Sequence, residues 1–186
     1  TRTVHVAAPP TAIPAQDPVI IPAGGGVNLP MEYTGRVTTY HWTPQYRLSC
    51  FDCPQPYANP QATNKYKVQV TDVWGCRNEG EITVVVVCND RNFTIPNTFS
   101  PNGDGVNEVF YPKGTGLIRI KSLVIFNRWG EMVFDKKDFA VNDPAAGWNG
   151  MYKGQKASAD VYVYRMEIIC ENNEVIPVQG NITLLR

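Results

Sequence analysis

Apolar and polar residues alternate with a period of two through most of this chain, in short runs broken by Gly, Asn, Asp and Pro. In the first half the runs are VNLPME (27–32), TTYHW (38–42), YKVQVTD (66–72) and EITVVVV (81–87). In the second they are SLVIFN (122–127), EMVFD (131–135), VYVYRMEII (161–169) and NITLLR (181–186). A period of two puts successive side chains on opposite faces of a pleated strand, so each run predicts a strand with one buried face. Many short strands joined by turn residues predict sandwiches, and the fold class is all-β with two β-sandwich domains in tandem. The 186 residues suit two small domains better than one. A strand ends and CNDRNFTIPN begins at 88–97, which sets the domains at 1–88 and 89–186.

Departures from alternation carry more information. Val84, Val85, Val86 and Val87 are all apolar, so both faces of that strand are expected to be covered: one by the first domain's core, the other by the second domain or its linker. The opposite departure is IPNTFSPNGDGVNE (95–108), whose prolines, glycines and asparagines no helix or central strand tolerates. It predicts an ordered turn assembly that opens the second domain, with Phe99 and Phe110 as apolar anchors. Trp42 is the expected core anchor of its strand, which Thr43-Pro44 ends. Asn127-Arg128-Trp129-Gly130-Glu131 predicts a hairpin turn in which Gly130 supplies a positive φ, Trp129 covers the core edge and Arg128 stacks on a neighbour. Gly147-Trp148-Asn149-Gly150 predicts a second turn with a packed indole. Val161 and Val163 fall on one face of a strand, Tyr162 and Tyr164 on the other.

Composition narrows the function. Lys and Arg total 17, as do Asp and Glu, so no net field steers nucleic acid or an anionic membrane. The longest apolar run, ITVVVVC (82–88), is far short of the roughly 20 residues of a membrane helix. The opening TRTVHV alternates like a strand and is not a signal peptide; an excised fragment, monomeric and with its signal peptide far upstream, is expected. Catalysis has little support: His5 and His41 lie in strand patterns, and neither G-x-S-x-G nor H-E-x-x-H occurs. Asp135, Asp138 and Asp143 read as a solvated loop. No enzyme is expected.

The segment 95–108, followed by RWGE (128–131), GWNG (147–150), DVYVY (160–164) and GNITLLR (180–186), closely resembles the gliding-motility-associated C-terminal domain. That is the type B sorting domain of type IX secretion in Bacteroidota. Residues 9–88 resemble a PKD-like or immunoglobulin-like repeat of bacterial surface proteins, on Tyr40, Trp42 and YKVQVTD followed by Val73-Trp74-Gly75-Cys76. TVHVAAPPTA (3–12) resembles the last strand and linker of a preceding copy, with residues 1–8 as its tail. The resemblance implies two immunoglobulin-like β-sandwich domains at the end of a large secreted, gliding adhesin-like surface protein. The last domain would be the address read by the type IX translocon and an outer-membrane partner of the PorP/SprF-like class, leaving the protein on the cell surface or released. The first would be a spacer. Asn97, Asn102, Asp104, Asn107, Arg128, Trp129 and Arg186 are the candidate recognition residues. An adhesive or glycan-binding module is the alternative, with Tyr46, Phe51, Tyr57 and Trp74 as stacking candidates. The family usually has Asp at the positions of Asn149 and Glu108 and Gly at that of Asp160, which weakens metal binding there without threatening the fold.

Five cysteines remain: Cys50, Cys53, Cys76, Cys88 and Cys170. C-x-x-C at 50–53 lacks a second ligand pair for zinc, and LSCFDCPQP reads as a loop rather than the helix start a redox site uses. One local bridge is expected, Cys50–Cys53 with Cys53–Cys76 as runner-up, leaving one thiol over. Proteins that resemble this one often carry cysteines at the positions of Cys88 and Cys170. A bridge between them is the expectation, read as an interdomain staple, with two buried free thiols as the alternative. Asn102, Asp104, Asn107 and Glu108 resemble part of a calcium loop, against which stand Asx-turns that cap their own backbone. No cofactor is expected, calcium being the weak candidate.

Overall fold

The computed structural model describes residues 8–186; the opening TVHV run and His5 lie outside them. The chain divides into two units, Thr1–Val87 and Cys88–Arg186. The first contains β1 (Thr11–Pro14), β2 (Val19–Pro22), β3 (Val27–Asn28), β4 (Met31–Thr34), β5 (Val37–Thr43), β6 (Tyr57–Ala58), β7 (Asn64–Asp72) and β8 (Arg77–Val87). The second contains β9 (Phe93–Thr94), β10 (Thr98–Phe99), β11 (Lys113–Gly114), β12 (Leu117–Phe126), β13 (Met132–Phe139), β14 (Met151–Tyr152), β15 (Gln155–Lys156), β16 (Asp160–Cys170) and β17 (Val175–Leu184).

In the first unit a sheet of order β2-β8-β7-β5 is accompanied by the pairs β1-β4 and β3-β6. Residues 27–32, read from sequence as one strand, form the two strands β3 and β4. Pro30 lies between them and has no N–H for a ladder. Alternation then builds the core: Tyr66, Val68 and Val70 of β7 and Ile82 and Val84 of β8 are fully buried, with Val86 nearly so. Trp42 is fully buried among them. Its indole N–H donates to the Cys53 carbonyl and its backbone N–H to that of Phe51, each at 2.9 Å. The C-x-x-C loop is thus folded onto the core tryptophan. Cys50 and Cys53 form a disulfide with Cα atoms 5.9 Å apart, and Cys76 is an exposed free thiol.

The two faces of β8 are covered to different degrees. Val84 and Val86 are buried, and Val85 and Val87 are partly buried. Val85 stands beside Ile20 of the parallel strand β2, which is itself 62% exposed. β8 is an interior strand of its sheet, between β2 and β7. The turn after β7 is held by Asp72, whose buried carboxylate accepts N–H bonds from Trp74 and Cys76 at 2.9 Å each.

In the second unit a sheet of order β10-β17-β16-β12-β13 is parallel only at β10-β17; the pairs β9-β11 and β14-β15 complete it. β16 turns Tyr162, Tyr164, Met166, Ile168 and Cys170 inward. They meet Phe99, Phe110 and Trp148 in an aromatic cluster, with ring centroids 4.8 Å apart for Trp148–Tyr162, 5.3 Å for Phe99–Trp148 and 5.4 Å for Phe110–Tyr164. These tilted and edge-on pairs suit the ring quadrupoles. The anchor Phe110 and the packed indole of Trp148 are joined in this core, where they exchange backbone hydrogen bonds at 2.8 and 2.9 Å.

Cys88 and Cys170 form a disulfide with Cα atoms 6.2 Å apart. It does not join one unit to the other. Cys88 is the first residue of the second unit and Cys170 closes β16, so both ends belong to that unit.

Truncating Trp42 to Ala removes the largest buried side chain of the first unit and the donor to Cys53. A loss of about 3–5 kcal/mol is expected, seen as a lower urea midpoint for that unit with the midpoint of the second unchanged.

Candidate recognition surface

β12 ends at Phe126, β17 ends at Leu184 and β16 begins at Asp160, and these three termini are neighbours in the sheet. β10 runs parallel to β17, pairing Phe99 with Leu184, so the loop after Phe99 leaves from the same end. The three groups singled out in the sequence are thereby gathered at one end of the second unit. The Cys88–Cys170 disulfide lies at the other, separated by the eleven residues of β16, about 33 Å.

The loop is held by its own side chains. Asn102 Oδ1 accepts the Asp104 N–H at 3.0 Å, and Asp104 Oδ1 accepts the Val106 N–H at 2.7 Å. Glu108 Oε1 accepts the Gly103 and Gly105 N–H groups at 2.8 and 3.1 Å. The Asn102 amide reaches Asp104 Oδ2 at 2.9 Å. That amide, and then the Val106 N–H, holds the Asp104 carboxyl below its ordinary range. Asn107 adopts a φ of 53°, and its carbonyl accepts the Ser100 N–H at 2.9 Å. The Asn97 carbonyl accepts the Thr183 N–H at 2.9 Å, which continues the β10–β17 pairing. The side-chain oxygens of Asn102, Asp104 and Glu108, which resembled calcium ligands, accept backbone N–H groups of their own loop. Among the described residues no three His, Cys, Asp or Glu side chains converge in a way that could hold a metal ion.

Arg186 belongs to this assembly. Its Nη2 donates to the Gly150 and Ala157 carbonyls at 2.8 and 3.0 Å, and its Nη1 to the Pro101 carbonyl at 3.4 Å. One guanidinium thus ties the final strand to both the 97–107 loop and the Gly147–Gly150 turn. Gly150 is needed there. Its φ is 73°, and a Cβ would lie 3.1 Å from Pro101 Cγ and 3.3 Å from Arg186 Nη2.

The 127–131 turn departs from its sequence reading. Asn127 Oδ1 accepts the Trp129 and Glu131 N–H groups at 3.0 Å each, and these hold the turn. Trp129 does not cover the core edge: it is 84% exposed. Arg128 does not stack on a neighbour but pairs with Asp160. Arg128 holds the Asp160 carboxyl below its ordinary range, helped by the Val161 N–H. Glu131 is held low in the same way, chiefly by the Tyr152 hydroxyl at 2.6 Å and then by Lys153 at 3.2 Å. Asp138 faces Arg119 at 3.6 Å and Asp143 caps Ala145 at 2.9 Å, so neither joins Asp135 in a shared cluster.

Sequence reasoning did not select the sheet face next to Trp129. Met132, Phe126 and Val163 are cross-strand neighbours on β13, β12 and β16, and all point away from the core. Met132 and Val163 are 49% and 43% exposed. Val161 follows at 48%. The signal was present in VYVY, a strand apolar on both faces with nothing assigned to its valine face. A cleft of about 390 Å³ opens here, lined by Phe126, Arg128, Gly130, Val163 and Arg165. A second of about 200 Å³ lies between Trp129, Ala157, Ser158 and Tyr162.

In the first unit Tyr46, Phe51, Tyr57 and Trp74 are all about half-exposed. They do not form one platform. The first three precede β7 and Trp74 follows it, with the nine residues of that strand between. Trp74 is covered in part by the Arg36 guanidinium, 5.8 Å from its ring centroid.

A carboxyl held low in the folded state contributes stability that is complete above its unfolded pKa and is lost as pH falls through the folded value. Asp160 is of this kind. Melting temperature should therefore fall on acidification below about pH 4, and Asp160→Asn should flatten that limb while lowering the neutral-pH value. In Arg186→Ala, amides of residues 100–107 should exchange faster, with β12 and β16 protection unchanged.

Residues 93–184 match the family model of the CHU_C type IX secretion signal domain. No curated protein matches the chain. Among solved structures, the chain is similar to the titin Z1Z2 domains in complex with telethonin, at 10% identity over 97% of this chain and 98% of that chain, with a TM-score of 0.41. It is also similar to dimeric latent PorU from Porphyromonas gingivalis, at 10% identity over 96% of this chain but 20% of that chain, with a TM-score of 0.34. A third is the Bacteroides ovatus mixed-linkage glucan utilization locus SGBP-B in complex with mixed-linkage heptasaccharide, at 14% identity over 93% and 45%, with a TM-score of 0.32. Over residues 93–184, nearly the whole of its second unit, the chain belongs to the CHU_C family of type IX secretion signal domains.

Proposed function

We propose that an outer-membrane partner of the type IX machinery, of the PorP/SprF-like class, reads the second unit at the end that carries Trp129. The observation behind this is the indole itself. A tryptophan 84% exposed at a hairpin tip, beside a row of outward-facing apolar side chains, has no role in the unit's own core. Exposed apolar patches of this kind mark interaction surfaces, and aromatic anchors supply much of their binding energy. Arg128, Trp129 and the Met132–Phe126–Val163 row make the contact. Asn97, Asn102, Asp104, Asn107 and Arg186 shape the adjoining loops. The protein is exported through the periplasm and left on the cell exterior or released, as part of a large adhesin-like surface protein. The second unit acts as a signal without catalysis, and the first acts as a rigid spacer. The 97–107 loop holds its shape without calcium, since Asn102, Asp104 and Glu108 already accept its backbone N–H groups.

The test is a fluorescent reporter with a signal peptide and residues 88–186 at its C-terminus, compared with residues 1–186, in a host with this secretion system and the cognate partner. Both should reach the exterior. Trp129→Ala with Val163→Glu should lower export at least tenfold with an unchanged circular dichroism spectrum. Retention of both unmutated reporters in the periplasm would refute the export role. Undiminished export of the double variant would refute the chosen surface. The melting temperature of the second unit should be the same in millimolar calcium and in chelator.

A further inference from the structure

Four cations of the second unit are neutralised inside it: Lys121 by Glu167 at 2.8 Å, Lys153 by Glu131 at 3.2 Å, Arg119 by Asp138 at 3.6 Å and Arg128 by Asp160. Arg165 is not among them. Among the described residues its exposed guanidinium has no ion pair, hydrogen bond or ring partner. Other unpaired cations, such as Lys136 and Lys137, stand on the edge strand β13. Arg165 stands on β16, the central strand of five, between Val124 of β12 and Gln179 of β17. The acids of that face are not available to it. Glu167 is held by Lys121, and Asp135 lies across Val124, two strands away and so roughly 10 Å off. Toward Trp129, Arg165 borders the cleft of about 390 Å³ with Phe126 and Val163. On its other side it borders one of about 520 Å³ with Ser122, Val124 and Pro177. It is the one residue that lines both.

Covering this face strips water from the guanidinium. A buried cation without a counter-charge opposes association, whereas a carboxylate gives the guanidinium fork two parallel charge-assisted hydrogen bonds. Given contact at the Trp129 end, as proposed above, we infer that the outer-membrane partner presents a carboxylate to Arg165, flanked by apolar side chains that fill the two clefts. Arg165 is then the specificity residue of the interface. Arg128 cannot play that part, because Asp160 already holds it. A second copy of the chain is a poor occupant, since a twofold axis through the centre of this face sets Arg165 against its own counterpart. An anionic lipid surface is another, since it is read by clusters of roughly four to eight cations, and the middle of this face offers Arg165 alone.

The test uses the fluorescent reporter carrying residues 1–186, in the same host with its cognate partner. Arg165→Glu should lower export roughly tenfold or more. Arg165→Lys should lower it less, because the ammonium keeps the charge but not the fork. Both purified chains should keep the wild-type melting temperature, since the guanidinium bonds to nothing in the unit. Binding of the purified chain to the partner in detergent should weaken with added salt, and Arg165→Gln should reduce that salt dependence. Wild-type export of Arg165→Glu, beside retention of Trp129→Ala with Val163→Glu, would overturn the inference and leave the proposed surface standing. Wild-type export of both would overturn the surface as well. If Arg165→Glu melts lower than wild type, Arg165→Gln replaces it in the export assay, and its undiminished export overturns the inference equally. So would equal salt slopes for wild type and Arg165→Gln, cosedimentation with anionic phospholipid vesicles that needs Arg165, or a dimer that Arg165→Glu dissociates.

Discussion

The alternation of β16 is the constraint on which the second unit depends. This strand turns two tyrosines, a methionine, an isoleucine and a cysteine inward over eleven residues, and it pairs along most of its length with both β12 and β17. Slipping it by one residue would put Val161 and Val163 into the core and Tyr162 and Tyr164 into water. The aromatic cluster with Phe99, Phe110 and Trp148 would then be lost. The register of β16 also fixes where β12 and β17 end, and those ends carry the Trp129 turn and the Arg186 clamp. Core packing and display of the surface loops follow from one choice of strand register.

The same strand shows how a signal domain can be rigid and still readable. Its inward residues are mostly large, and its outward ones nearest the Trp129 turn are the branched Val161 and Val163. One face closes a sandwich, while the other leaves a row of apolar side chains in reach of a partner. The loops at that end are stiffened without a second core. Asn102, Asp104 and Glu108 bond to backbone N–H groups of their own segment, and Arg186 draws three segments together through their carbonyls. Hydrogen bonding of this local kind orders a polar loop at low apolar cost. The loop thus holds its shape while remaining exposed.

Much of this was legible in the sequence, for reasons that differ from residue to residue. Period-two alternation located most of the long strands, and Trp42 and Trp148 are core because an indole beside turn residues has few other places to go. Where Pro30 interrupted a run, alternation alone took two strands for one. The apolar Val84–Val87 suggested two covered faces; Val84 and Val86 are buried and Val85 and Val87 partly so, while the parallel neighbour β2 depends on non-local pairing that no local pattern shows. Trp129 was placed on the core edge because a tryptophan is rarely so exposed; its exposure follows from the tight Asn127-capped turn. The convergence of Arg186, Pro101 and Gly150 joins residues far apart in the chain. No local pattern encodes it. The Cys88–Cys170 bridge changed its meaning by a single residue, since the strand ends at Val87 and the bridge lies within one unit.

The place of β17 has a consequence for when this unit becomes legible to anything that reads it. It is an interior strand, between β16 and β10, although it is the last strand of the unit in sequence. A nascent chain interrupted before Val175 leaves β16 with one neighbour, β10 with none, and the cavity for Ile182 and Leu184 open to water. The arrangement around Trp129, Pro101 and Gly150 cannot assemble on such a chain. The shape of the second unit therefore waits on β17, and a chain cut before Val175 cannot present it.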